Sequence, residues 1–302
     1  MDRVDQLLSY IEEKHPRLIG SVREAEQVDP IWFRRVTNQL LEWSAGVVDG
    51  DGIQVVADGY AQFNSDVNWA QGRYEVDGEY ENKSYAEVYE SHYNQKETME
   101  AYLWGVCFAN VLRPHHVELG VHWEMRFLSR LQNEPEIIEI APGHGAWGLL
   151  ALDHVPGSRL RGFDISETSV ATSRAMAHAA GLSDRTSYEV RDALDLERLA
   201  PQSADAVICS FVLEHLEQPE KIFAATRHLL RPDGVAFITG GLESAQVDHI
   251  YEFHRESELV VMAESQGCRV LETASFHPSR NLRNARFLPR SMTLIVCPSN
   301  ET

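Results

Sequence analysis

The sequence predicts an α/β fold: an open, doubly wound, mostly parallel sheet preceded by a long helical region. Two observations carry that prediction. From residue 136 onward, short apolar runs alternate with helical patterns, the signature of strands joined by crossover helices, whereas everything before that point reads as helix. The first apolar run, Glu136 to Ile140, also breaks into Ala141-Pro142-Gly143-His144-Gly145 before a new helical pattern, the form of a strand, a tight turn and a helix start. Glycines there let the backbone approach a ligand, and the first turn of the helix offers free N–H groups.

Composition sets the bounds. The 302 residues, 43% of them hydrophobic, suffice for one large or two ordinary domains with a real core. Forty-six acidic against 27 basic residues give a formal charge of −19, which repels phosphate backbones and anionic surfaces, so neither nucleic acid nor a membrane is an expected partner. Cys107, Cys209, Cys268 and Cys297 form no Cys-x-x-Cys pair and read as buried free thiols. With neither a signal-type apolar core at the N-terminus nor a spanning run, the expected compartment is the cytoplasm.

The helical region is expected to occupy residues 1–131. Val4, Leu7, Leu8 and Ile11 fall at helical spacing, and Asp29-Pro30 opens another helix with an acid to cap it and a proline suited to its first turn. Its stripe runs Phe33, Val36, Leu40, Trp43 and ends at Gly46. Ile53 to Val67 marks a third helix, with a loop expected from Gly72 to Tyr80. Ser84-Tyr85-Ala86-Glu87 has the form of a capping box; further helices are expected over Lys96 to Leu112 and His116 to Leu131.

Residues 132–302 hold the expected sheet. Candidate strands are 136–140, 160–163, 187–190, 204–209, 235–239, 269–273 and 292–296, the last two joined without a helical stripe and therefore an antiparallel hairpin. In such a sheet a ligand sits beyond the carboxyl ends of the strands, and chemistry-bearing residues recur there. Asp164 ends the second candidate strand 19 residues past Gly145, placed for a paired hydrogen bond to a ribose. Asp192 follows the third, and Cys209-Ser210-Phe211-Val212-Leu213-Glu214-His215-Leu216 the fourth. Leu229-Leu230-Arg231-Pro232-Asp233-Gly234 leads into the fifth.

These segments resemble, in order, the motifs of the class I S-adenosylmethionine-dependent methyltransferases over about residues 135–298. Glu139, Ala141, Gly143 and Gly145 match the first motif, and Ala206 to Phe211 with Glu214-His215-Leu216 the fourth and its following turn. Arg231 to Gly234 match a Pro-Gly-Gly turn in which Asp233 replaces glycine. The resemblance implies a Rossmann-like seven-stranded methyltransferase sheet with a helical N-terminal cap, and S-adenosyl-L-methionine as cofactor. Its contacts would include Asp164 with Ile165, Asp192 with Ala193, which would meet the adenine amino group, and Ser210 with Phe211. A dinucleotide-dependent oxidoreductase would also explain the glycines and Asp164, but not Glu-His-Leu. A cofactor-binding protein without transferase activity is the other alternative.

Methyl transfer from a sulfonium is an in-line displacement, so an enzyme mainly has to hold the acceptor near the methyl carbon and exclude water. A base is needed where the acceptor must lose a proton. His215, His249 and Tyr251 follow the fourth and fifth strands and are the candidates for that role, with Glu214 and His254 as acceptor contacts. The aromatic run Tyr85, Tyr89, His92, Tyr93, Tyr102, Trp104 suits a lid, with Tyr89 and Tyr93 the expected acceptor contacts, although the same residues also fit a packing stripe. A medium-sized, partly aromatic small molecule of specialised metabolism, methylated on N, O or an electron-rich carbon such as indole C3, is the expected acceptor. Arg280, Arg283, Arg286 and Arg290 suit an acidic acceptor group, the chain's own acidic surface or the second subunit of a homodimer. His115, His116 and His122 have no zinc-site spacing, and no metal is expected.

Overall fold

In the computed structural model, which describes residues 2–89, 93, 96–278 and 285–299, the sheet follows a run of helices. α1 (Arg3–Lys14) starts at Asp2, whose side chain accepts the Asp5 N–H. α2 (Ile19–Val28) was not visible in the sequence because it buries only Val22 and Ala25, too short a stripe to show a period. α3 (Pro30–Ala45) begins where Asp29 accepts the N–H groups of Ile31 and Trp32, and stops at Gly46. α4 (Gly52–Asp77) absorbs most of the expected loop: Tyr74 is buried on its stripe, and the helix ends only at Gly78, whose φ of 82° lets its N–H return to the Tyr74 carbonyl. The short α5 (Tyr85–Val88) carries the expected capping box. α6 (Lys96–Leu112) is followed by α7 (Pro114–His122), which loosens into a π turn at Trp123–Phe127.

Close contacts fix how these helices cross. A Cβ on Gly105 of α6 would lie 2.6 Å from Phe63 Cβ and 2.7 Å from the Gly59 carbonyl of α4. On α7, a Cβ at Gly120 would lie 2.3 Å from the Trp32 ring of α3. Gly120→Ala should therefore overpack that joint and lower stability by about 1–3 kcal/mol; a urea midpoint equal to wild type would show that Trp32 can move aside.

β1 (Glu136–Ile140), α8 (Ala146–His154), β2 (Arg159–Asp164), α9 (Glu167–Ala179), β3 (Thr186–Val190) and β4 (Ala204–Cys209) form the first half of the sheet region. α10 (Glu220–Leu229), β5 (Leu230–Leu242), α11 (Glu256–Ser265), β6 (Cys268–Phe276) and β7 (Arg290–Pro298) complete it. The seven strands lie in the order β3-β2-β1-β4-β5-β7-β6. β1 to β5 are parallel, and β7 runs antiparallel between β5 and β6, which is the expected closing hairpin. Strand order reverses between β1 and β4, the switch point where a ligand crevice opens.

The central strands are buried on both faces, and one continuous apolar cluster joins helices and sheet. Within it Trp123 meets Trp147 of α8 edge-on at 5.0 Å, and Phe127 packs on Phe237 of β5 at 5.6 Å. The helical region also docks on the loop after β5: Gln71 donates to the Glu243 carbonyl and accepts the Ala245 N–H, and the Tyr80 hydroxyl donates to the Ser244 carbonyl. All four cysteines are buried and free, and no helix among the described residues is long and apolar enough to cross a membrane.

Candidate active site

A cavity of about 940 Å³ lies over the carboxyl ends of β1, β2 and β4 and is roofed by α4, α5 and α6. At one end is the glycine turn. Ala141, Gly143 and Gly145 all take left-handed backbone conformations, φ 50°, 57° and 76°; alanine tolerates this only with strain, which the Ala141 N–H bond to the Phe163 carbonyl helps to hold. Glu139 is buried beneath the turn, with Oε1 accepting the Gly148 N–H at 3.2 Å and Oε2 without a protein partner. Position 148 has to be glycine, since a Cβ there would lie 2.3 Å from Oε2.

Burial pushes the Glu139 carboxyl up to about 8, with Asp164 adding to the rise and the Gly148 N–H opposing it. A raised folded-state pKa means that the carboxyl's contribution to stability is fully present below about pH 4.5 and is lost as pH rises through about 8. The melting temperature of the cofactor-free protein should therefore fall from about pH 5 to 8 more steeply in wild type than in Glu139→Gln. Parallel curves would mean that Glu139 stays ionised throughout.

His144, which the sequence reading passed over, accepts the Ala146 N–H through Nδ1 and so caps α8 from inside the turn; burial lowers its pKa to about 4 and keeps it neutral. Asp164 accepts one backbone N–H on each oxygen, from Gly143 and Ser166, both at 2.9 Å. Each oxygen retains a second acceptor position. Asp192 caps the turn at Ala193–Arg198 through the Leu194 N–H. Ile165, Ala193, Ser210 and Phe211 line the same end of the cavity, and the buried Ser210 Oγ has no protein partner. Phe211, at φ 55°, donates its N–H to Thr239 Oγ1 and stacks on His116 of α7 at 5.3 Å.

The other end of the cavity is built around His215. Its Nδ1 lies 3.0 Å from the Tyr93 hydroxyl, 3.2 Å from the Asp248 carbonyl and 3.4 Å from Asp248 Oδ2. Glu214, also on the cavity wall, points to the opposite side of the turn: Oε1 accepts the Gly241 N–H at 3.1 Å and stands 4.0 Å from His249 Nε2. Burial raises the Glu214 carboxyl to about 7, with the His215 charge pulling the other way. Glu214, His215 and His249 present donor atoms within 4.8 Å of one another, the spacing of a cation site among the described residues. Here both imidazoles direct Nδ1 at backbone carbonyls, His249 at that of Ser244 at 2.7 Å.

Four expected site residues are placed elsewhere. His249 is 1% exposed, does not line the cavity, and burial lowers its pKa to about 3, too weakly basic for proton transfer near neutrality. Tyr251 lies in a separate shallow groove beside Glu258 and packs on Phe253, because the chain after Glu214 draws the Ile250 and Tyr251 N–H groups to its carbonyl and turns the ring away. His254 sits at the surface between Glu243 and Glu252. Tyr89 is 39% exposed and lies outside the cavity wall, which Tyr85 and Tyr93 do line. Of the arginine cluster, Arg290 pairs with Glu243 and Glu256, and the Arg286 N–H is held by Glu75; Arg280, Arg283 and His92 lie outside the described residues.

Residues 138–236, spanning β1 to β5, match the family described as "Methyltransferase domain". Residues 138–236 therefore carry a methyltransferase domain, and the sheet around them has the fold of the S-adenosylmethionine-dependent class I methyltransferases. Its relatives include a "Ubiquinone biosynthesis O-methyltransferase" of Neisseria meningitidis, 34% identical over 80 residues, which are 26% of this chain and 33% of that protein. A "Ubiquinone/menaquinone biosynthesis C-methyltransferase" of Paracoccus denitrificans is 29% identical over 119 residues, 38% of this chain and 47% of its own length. The chain thus spans between a third and a half of these relatives. Among solved structures, a putative sarcosine dimethylglycine methyltransferase from Galdieria sulphuraria superposes with a TM-score of 0.51 at 15% identity, covering 63% of this chain and 87% of its own. The [4+2]-cyclase SpnF superposes at 0.52 and 13% identity, covering 62% and 82%. At these identities the likeness is one of fold.

The class I cofactor fits the residues present. The methyltransferase turn supplies an approachable backbone, where a Cβ at Gly143 would meet only Leu103, at 3.5 Å. Glu139 Oε2 and Ser210 Oγ are buried polar atoms without a protein partner, which the cofactor's polar groups could meet.

Proposed function

We propose that the chain methylates a small-molecule acceptor, using S-adenosylmethionine held by Glu139, Gly143, Asp164 and Asp192. The observation that supports this reading is the continuity of one cavity from the glycine turn to the His215 imidazole. When bound, the cofactor supplies an electrophilic methyl group. Glu139, charged once a cationic group replaces its missing partner, would bind the amino end, and Asp164 the ribose hydroxyls. Tyr93, Tyr102 and Leu103 from the helical region enclose the acceptor end and exclude water. His215 stands on that wall as an imidazole able to receive a proton from an acceptor O–H, N–H or ring carbon.

The named relatives act in quinone biosynthesis on O or C, and the tyrosines and Phe63 on the cavity wall suit a ring. The acceptor class is therefore an electron-rich aromatic compound, a phenol foremost. Thermal shift with S-adenosylhomocysteine tests the cofactor, and incubation of S-adenosylmethionine with a panel of catechols and indoles, followed by mass spectrometry, tests the transfer. Stabilisation by a nicotinamide dinucleotide in place of S-adenosylhomocysteine would overturn the reading. Cofactor binding accompanied by cyclisation of an acceptor without methyl gain would place the chain with non-transferring proteins instead.

A further inference from the structure

Asp248 sits in the loop after β5, 2% exposed, at the junction of the helical region and the sheet. A side chain from the helical region reaches it: the Tyr93 hydroxyl donates to Oδ2 at 3.2 Å. From the sheet side, His215 Nδ1 faces both its carbonyl oxygen and Oδ2. Ionised carboxylate and carbonyl oxygens only accept. A proton on His215 Nδ1 satisfies all these contacts, whereas a bare Nδ1 would face two acceptors lone pair to lone pair. Among the described residues, every recorded hydrogen bond of the His215 ring runs through Nδ1. The ring is nevertheless on the cavity wall, which leaves Nε2 as its free basic position. The remaining ionisable neighbours do not compete for Nδ1: Glu214 turns to Gly241, and His249 meets the His215 ring edge to face, at 4.8 Å and 86°, with its own Nδ1 held by Ser244.

We propose that Asp248 is a positioning residue, which fixes His215 in the Nδ1–H tautomer, while the Tyr93 hydroxyl from the helical region donates to the same carboxylate. This rests on the methyltransferase reading. The acceptor's proton goes to Nε2 as its lone pair takes the methyl group, and Asp248 compensates the imidazolium charge that results. A carboxylate holding the far nitrogen of a catalytic imidazole acts in this way in other enzymes.

The test reads the tautomer without needing an acceptor. Long-range proton–nitrogen correlation spectra of ¹⁵N-histidine-labelled protein at about pH 8, above the ordinary imidazole range, are assigned with His215→Gln. The expected spectrum shows His215 protonated on Nδ1. In Asp248→Asn the proton should move largely to Nε2, because the amide now presents a donor, while Asp248→Glu should restore Nδ1–H at least partly. S-adenosylhomocysteine should stabilise all these proteins alike, which also verifies their fold. A wild-type His215 carrying its proton on Nε2 overturns the proposal, as does an Asp248→Asn spectrum identical to wild type; the first result needs no variant. Failure of S-adenosylhomocysteine to stabilise the wild-type protein counts against the methyltransferase reading and leaves the tautomer measurement standing.

Discussion

Turnover of the His215→Ala protein should fall by about 10²–10⁴-fold, the usual contribution of a positioned general base, with S-adenosylhomocysteine affinity retained. The imidazole stands at the opposite end of the cavity from the glycine turn, so its removal leaves Glu139 and Asp164, the proposed cofactor contacts, in place. The loss should appear in kcat more than in KM, because proton removal belongs to the transition state. His249→Ala is the contrasting case: that ring lies behind the cavity wall, and burial holds it neutral, so its loss should act through stability. Initial rates on the acceptor found in the phenol and indole panel decide this. Near-normal kcat in His215→Ala would mean that proximity alone drives transfer.

Cofactor affinity should fall by about 2–3 kcal/mol in Asp164→Ala, the cost of two charge-assisted hydrogen bonds to ribose hydroxyls, or roughly 30- to 150-fold in Kd. Part of that loss would come from the turn itself, since Asp164 also holds the Gly143 and Ser166 N–H groups. Asp164→Asn separates the two: its amide oxygen can still hold one of these N–H groups, while it lacks the charge and one acceptor for the ribose. An affinity for Asn close to that for Ala would assign the loss to the ribose contact. Calorimetry that finds unchanged affinity in a folded Asp164→Ala protein would refute the ribose assignment.

Much of the sheet was legible in the sequence because a central parallel strand is buried on both faces and reads as an unbroken apolar run. β4 was bounded to the residue, and the hairpin of β6 and β7 followed from the missing helical stripe between them. The cofactor end was legible for a related reason. Its residues come from short consecutive segments at strand ends, where Ala141, Gly143, Asp164 and Ser210 keep a fixed distance from their strands and line one cavity.

The acceptor end was less legible. Proximity to the fifth strand put His249, Tyr251 and His254 on an equal footing with His215, yet the loop after β5 folds back on Glu214, burying the first and turning the other two outward. Asp248 looked like any loop aspartate. Its partners Tyr93 and His215 are 155 and 33 residues away, and no local pattern encodes such a meeting.

The sequence by itself determined the strand order's raw material, the glycine turn and the acids at the carboxyl ends of β1, β2 and β3, because each depends on contacts within a few residues. Only the tertiary structure decided which imidazole lines the cavity and which carboxylate lies beside it. That choice depends on how α4 to α6 dock against the loop after β5, through contacts such as Gln71 with Ala245 and Tyr80 with Ser244. Burial then separates the two histidines: His215 remains on the wall of the cavity, and His249 is shut behind it, too desolvated to carry a charge.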